Sequence, residues 1–177
     1  VNIMNQYKML FVGPVASGKT TAVRSLCGEN IITTSKKTSD EVSSLKGDTT
    51  VSLDYGVLQL DSLKLHIYAA PGQERFSFMH DILIKGSIGV ILLLSMEHIK
   101  IEEVGQILYE YLQVIEKNPC VIGVTRSENF DANQIELFLN AIFQYHPSLS
   151  DTMVVDVRKK HDVLKLVEKM VVKANER

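Results

Sequence analysis

Gly13-Pro14-Val15-Ala16-Ser17-Gly18-Lys19-Thr20 satisfies the pattern G-x-x-x-x-G-K-[ST] in full. A short apolar run over 7–12 leads into it and stops at Gly13. Residues 20–27, with Thr21 in the first turn, read as a helix. Strand, glycine-bounded loop and helix in that order make a phosphate cradle. Gly13 and Gly18 permit backbone angles that a side chain obstructs. The amides of the loop, from Pro14-Val15-Ala16-Ser17 into Gly18, can then turn toward phosphate oxygens, aided by the positive end of the helix. Lys19 is placed to reach the β- and γ-phosphates, and Thr20 to ligate magnesium.

Outward from this loop, apolar segments alternate with amphipathic ones. Residues 50–60 and 63–69 are both strand-like, and Asp61-Ser62 joins them as an antiparallel hairpin. Residues 88–94 form a continuous apolar strand, as for a strand buried on both faces. Ile101, Val104, Leu108, Leu112 and Ile115 share one helical face. Residues 120–124 and 153–157 are further strands. Asp131 with Gln134 forms a capping box that opens a helix through Phe143. Val163, Leu166, Val167, Met170 and Val171 line the last helix. The polar stretch 29–48 reads as a flexible connection, long enough to imply a function. Repeated strand–helix units predict an α/β fold of the P-loop NTPase class. The expectation is one domain over 1–177, with a six-stranded, mostly parallel sheet, one antiparallel edge strand and about five helices.

Composition excludes several classes. The 177 residues are 45% hydrophobic and 23% charged, ordinary for a soluble globular chain. A formal net charge of −2 offers no global attraction to nucleic acid or anionic membrane. No apolar run approaches the ~20 residues of a membrane span. Two cysteines make no disulfide framework and read as reduced packing residues in a cytoplasmic protein. The five histidines show no metal-ligand spacing.

Pro71-Gly72-Gln73-Glu74-Arg75-Phe76 resembles the second switch of Ras-like small GTPases, whose Rab form reads D-T-A-G-Q-E-R-F. Thr50-Val51-Ser52-Leu53-Asp54-Tyr55 resembles the Rab-type first switch T-I-G-V-D-F. Pro-Gly-Gln and Val155-Asp156-Val157-Arg158 are similar to bacterial MglA-type GTPases, which are polarity, motility and signalling switches often encoded near Roadblock-domain regulators. The resemblance implies GTP or GDP as ligand, magnesium as cofactor and a Roadblock-type or other switch-reading partner. It implies that Thr50 joins Thr20 on magnesium and touches the γ-phosphate, that the amide of Gly72 meets the γ-phosphate, and that Gln73 orients the attacking water. Lys19 and Gln73 are the expected catalytic residues. Thr50 could also simply begin a strand, and Gln73 could be a solvated loop residue.

Three positions depart from the family. Ala69 stands where an aspartate usually holds magnesium through water, leaving Thr20, Thr50, phosphate oxygens and water. Thr125-Arg126-Ser127-Glu128 replaces the guanine-reading N-K-x-D. Glu128 has the right acceptor chemistry on a longer arm, and Arg126 could cover the base, or both are ordinary loop charges. Asp156, Val157 and Arg158 occupy the final base-contacting loop. Val15 replaces a common glycine and would crowd the water. Phe76, Phe78 and Met79 suit either a partner surface or core packing. The readings are therefore a slowly hydrolysing GTP switch, a nucleotide-binding pseudo-GTPase scaffold, or a P-loop kinase. The hairpin, Pro-Gly-Gln and the lack of an arginine-rich lid argue against the kinase.

Overall fold

The computed structural model describes residues 5–38, 49–72, 78–145 and 147–176. Its strands are β1 (Asn5–Val12), β2 (Ile32–Thr38), β3 (Thr49–Leu60), β4 (Leu63–Ala69), β5 (Ser87–Ser95), β6 (Cys120–Thr125) and β7 (Thr152–Val154). Its helices are α1 (Lys19–Cys27), α2 (Phe78–Ile84), α3 (Val104–Glu110), α4 (Leu112–Lys117), α5 (Ala132–Tyr145) and α6 (Lys160–Asn175). The strands form one sheet in the order β2-β3-β4-β1-β5-β6-β7.

β1 pairs in parallel with both β4 and β5, so the strand order reverses beside it. Its side chains alternate between two cores. Met9 and Phe11 pack with Val23 and Leu26 of α1 and Leu166 and Met170 of α6. Leu10 and Val12 pack on the other face with Leu108 of α3, Ile115 of α4 and Phe138 and Ile142 of α5. Burial on both faces is what lets β1 and β5 be apolar at successive positions rather than alternating. The crevice at the carboxyl end of β1, where the order reverses, is the usual ligand position in such sheets. The loop after Val12 opens there.

Three details differ from the sequence reading. Among the described residues the sheet has seven strands rather than six, because residues 32–38 of the expected flexible connection pair with β3 as the edge strand β2. Ile32, Thr33, Thr34 and Thr38 are β-branched and favour extended backbone, and an edge strand tolerates the polarity that argued for a loop. The antiparallel strand, β3, therefore lies inside the sheet between β2 and β4 rather than at its edge. The helix expected over the stretch after Ile101 is divided. A 3-10 turn at Ile101–Glu103 precedes α3, and Tyr111 (φ −98°, ψ 6°) separates α3 from α4. Tyr111 is buried and takes a core position, while Ile101 is exposed. No proline or glycine marks this break in the sequence. The capping box forms as read: the amide of Gln134 donates to Asp131 Oδ1 at 2.8 Å, and that of Asp131 to Gln134 Oε1 at 3.0 Å.

Candidate functional site

The loop between β1 and α1 has positive φ at Gly13 (144°), Ala16 (63°) and Gly18 (102°). A Cβ on Gly13 would stand 2.4 Å from the carbonyl oxygen of Leu93 in β5, and one on Gly18 would stand 3.0 Å from Val157 Cγ2. Only glycine meets both the angle and the approach. Ala16 holds a conformation that costs an L-residue about 1–3 kcal/mol, strain that persists only where the surroundings impose it. Ser17 is buried, and Val15 is 58% exposed at the loop surface. Pro14 is half-buried, and Thr20 and Thr21 continue the helix that Lys19 starts.

Lys19 curls back over this loop. Its Nζ donates to Gly13 O at 2.8 Å, Pro14 O at 2.7 Å and Ser17 Oγ at 3.3 Å. Burial lowers its pKa from 10.5 to about 8, opposed by the nearby Asp54 carboxylate. The backbone at Gly72 approaches the same place. A Cβ there would lie 2.7 Å from Lys19 Nζ and 2.7 Å from the amide nitrogen of Val15. The loop after β4 thus brings a bare backbone against the phosphate motif.

Asp54 of β3 was not singled out in the sequence. It is 2% exposed. Its Oδ2 accepts a close hydrogen bond from the Thr20 hydroxyl, and its Oδ1 accepts one from Thr33 at 2.8 Å. Its direct cross-strand partners are Ala69 on β4 and Thr33 on β2. The available signal was a carboxylate at an inward position of a strand, since Asp54, Gly56 and Leu58 are all buried; a buried charge requires partners. Thr50 lies earlier in the same strand, paired with Lys37. Gln73, Arg75 and Phe76 lie outside the described residues, and Phe78 and Met79 open α2.

The end of β6 supplies the other half of the site. Thr125 is fully buried, and its hydroxyl donates to Ser17 O at 2.8 Å. It therefore ties β6 to the phosphate loop instead of facing outward. Arg126, at φ 55°, pairs with Glu97 at 3.3 Å. Glu128 pairs with Arg158 at 3.1 Å. Arg158 also forks onto Asp156, through Nε to Oδ1 at 2.8 Å and Nη2 to Oδ2 at 2.9 Å. These hydrogen bonds hold the Asp156 carboxyl down at about 2. Ser25 of α1 donates a close hydrogen bond to Val157 O. Glu128, Asp156 and Arg158 thus form one charged cluster, and the 156–158 loop is anchored to α1 and to Gly18.

A family model described as "Ras of Complex, Roc, domain of DAPkinase" matches residues 8–128, well over half of the chain. The chain is 28% identical over 143 residues to the uncharacterized protein MJ1339 of Methanocaldococcus jannaschii, covering 78% of this chain and 83% of that one. Its fold is similar to the G domain of the FeoB iron transporter of T. maritima (TM-score 0.63, 18% identity, 96% of this chain and 99% of that chain). It is also similar to a single-substitution variant of Aquifex aeolicus Era bound to GDP·AlF4⁻ (TM-score 0.69, 15% identity, 97% of this chain and 57% of that chain). Among the described residues, no helix is long and apolar enough to cross a membrane. Cys27 and Cys120 are free thiols, and burial raises their pKa values to about 11 and about 12.

Proposed function

The chain belongs to the Ras of Complex (Roc) domain family of Ras-like GTPase domains, and on that premise we propose that it is a guanine-nucleotide switch with slow hydrolysis. The observation that carries the reading is Lys19: a half-buried ammonium, its pKa lowered by burial, resting on loop carbonyls at 2.7 and 2.8 Å. A cation held there at an energetic cost suits an incoming anion. Phosphate oxygens would replace Gly13 O and Pro14 O as its partners, in stronger charge-assisted bonds. The amides of 15–18 cradle the phosphates, with Thr20 and Thr21 at the helix start. Thr20 and Thr50 are the residues proposed to hold magnesium. Magnesium, when bound, neutralises charge developing between the β- and γ-phosphates. Gln73 orients the attacking water, and the amide of Gly72 meets the γ-phosphate.

Glu128 reads the base edge. Arg158 occupies one side of its carboxylate and leaves the other oxygen to accept from guanine. Arg126, Asp156 and Val157 border the base, while Thr125 acts through the loop it tethers. Pro71-Gly72-Gln73 and Val155–Arg158 support a finer affinity with MglA-type polarity or motility switches, a Roadblock-type regulator as partner and a cytoplasmic location. The competing reading, a pseudo-GTPase scaffold, is favoured by Ala69.

Two measurements test this. Titration with GDP, GTP, ADP and ATP, with and without magnesium, should give tight guanine-nucleotide binding. Equal affinity for GTP and ATP rejects guanine reading, and binding without single-turnover hydrolysis under any regulator leaves the scaffold.

A further inference from the structure

We infer that Asp54 is the acidic residue of the magnesium site, delivered from β3 in exchange for the carboxylate that Ala69 lacks. This rests on the nucleotide-switch reading above. Ala69 and Asp54 are directly paired across β3 and β4. Directly opposed residues share one face, with Cβ atoms about 4.5–5.5 Å apart. A carboxylate on either strand can therefore enter the same small volume. Ala69 is 3% exposed and leaves room there, and Asp54 fills it, its oxygen on the hydroxyl of Thr20.

The hydrogen-bond direction matters. Thr20 donates its proton to Asp54, so the lone pairs of its oxygen are turned away from the carboxylate and are free for a cation. An outer carboxylate that fixes a ligand's orientation in this way commonly changes metal affinity by about 10–100-fold. Thr33 takes the second oxygen and fixes the carboxylate in turn.

The alternative is a brace joining α1, β2 and β3. A brace has no need of a charge. Among the described residues, the two side chains that donate hydrogen bonds to Asp54 are neutral hydroxyls, and burying an anion on neutral donors is costly. Lys19 opposes that cost from a distance. A divalent cation at Thr20 would oppose it far more strongly.

The test measures dissociation of fluorescent GDP against free magnesium, with excess chelator as the zero point. Asp54→Asn keeps shape and acceptor oxygen but removes the charge. It should raise the magnesium concentration for half-maximal retention by at least about 10-fold, while the rate in chelator stays the parent's. Thr33→Val removes one of the two hydrogen bonds that fix the carboxylate but keeps its charge, so its midpoint should shift clearly less than that of Asp54→Asn. Ala69→Asp added to Asp54→Asn should bring the midpoint back toward the parent. A parental midpoint in Asp54→Asn, or an equal shift in Thr33→Val, overturns the assignment. Failure of Ala69→Asp to recover a folded Asp54→Asn protein overturns the exchange. If the parent binds no guanine nucleotide at all, it is the switch reading that has failed instead.

Discussion

Replacing Lys19 by methionine should make the nucleotide-free protein more stable and the nucleotide complex far weaker. The free chain holds the Lys19 amine at a pKa of about 8 instead of 10.5. With each tenfold change in proton affinity equal to 1.36 kcal/mol, keeping the ammonium in place costs about 3 kcal/mol at neutral pH, to order of magnitude. The sign follows from proton counting. Between about pH 8 and 10.5 the unfolded chain binds more protons at this position than the folded one, so stability rises with pH through that window. Methionine fills a similar volume without the charge and should recover part of the cost, about 1–2 kcal/mol after loss of the three hydrogen bonds. Nucleotide binding should move the other way. Two charge-assisted bonds to phosphate, at about 1.5–3 kcal/mol each, correspond to at least a 100-fold loss of GTP affinity. Urea denaturation of the nucleotide-free proteins and fluorescent-nucleotide titration measure the two quantities. Opposite signs mark a residue held for its ligand. A fall in stability with unchanged affinity would refute the reasoning and make Lys19 a structural residue.

Three further outcomes are expected. Gln73→Leu should keep GTP affinity within a few-fold and lower the single-turnover hydrolysis rate by up to about 100-fold, less if Val15 already slows the parent; equal rates with and without an accelerating regulator would remove Gln73 from the water. Glu128→Gln should narrow the GTP-to-ATP affinity ratio by about 10-fold or more, the worth of one charge-assisted bond, and an unchanged ratio in competition titrations would place base reading elsewhere. Thr125→Val should lower thermal stability by about 1–3 kcal/mol, because Ser17 O loses its buried donor, and should weaken GDP and ADP alike; selective loss of GDP would mean that Thr125 contacts the base.

Much of this was legible in the sequence because it is local. The phosphate motif carries its own angles and donors, and the apolar runs that became β1, β5 and β6 are strand-sized, with 88–94 continuous enough to read as buried on both faces. Asp131 and Gln134 predicted their own reciprocal hydrogen bonds. What escaped was non-local. β2 exists because β3 offers it an edge, which polarity within 32–38 concealed. Asp54 matters because Thr20 of α1 and Thr33 of β2 meet it: the hairpin turn at Asp61-Ser62 already sets it opposite Ala69, but nothing in the hairpin says that α1 packs there. The register Asp54↔Ala69 sets the alanine at 69 and the carboxylate at 54 side by side on one face of the sheet. The tie from Thr125 to Ser17 spans 108 residues of chain, which no motif spacing reports.

That same tie has a consequence for how the protein comes into being. The phosphate loop is synthesised before the segments that secure its shape, those of Leu93, Thr125 and Val157. Each contact closes a long stretch of chain, and the entropy of closure must be met before the contact returns anything. A nascent chain ending before β6 therefore carries the whole motif without the supports that form it. Nucleotide capture should be a late event in its folding, and a ligand present during synthesis should trap the finished domain rather than template the unfinished one.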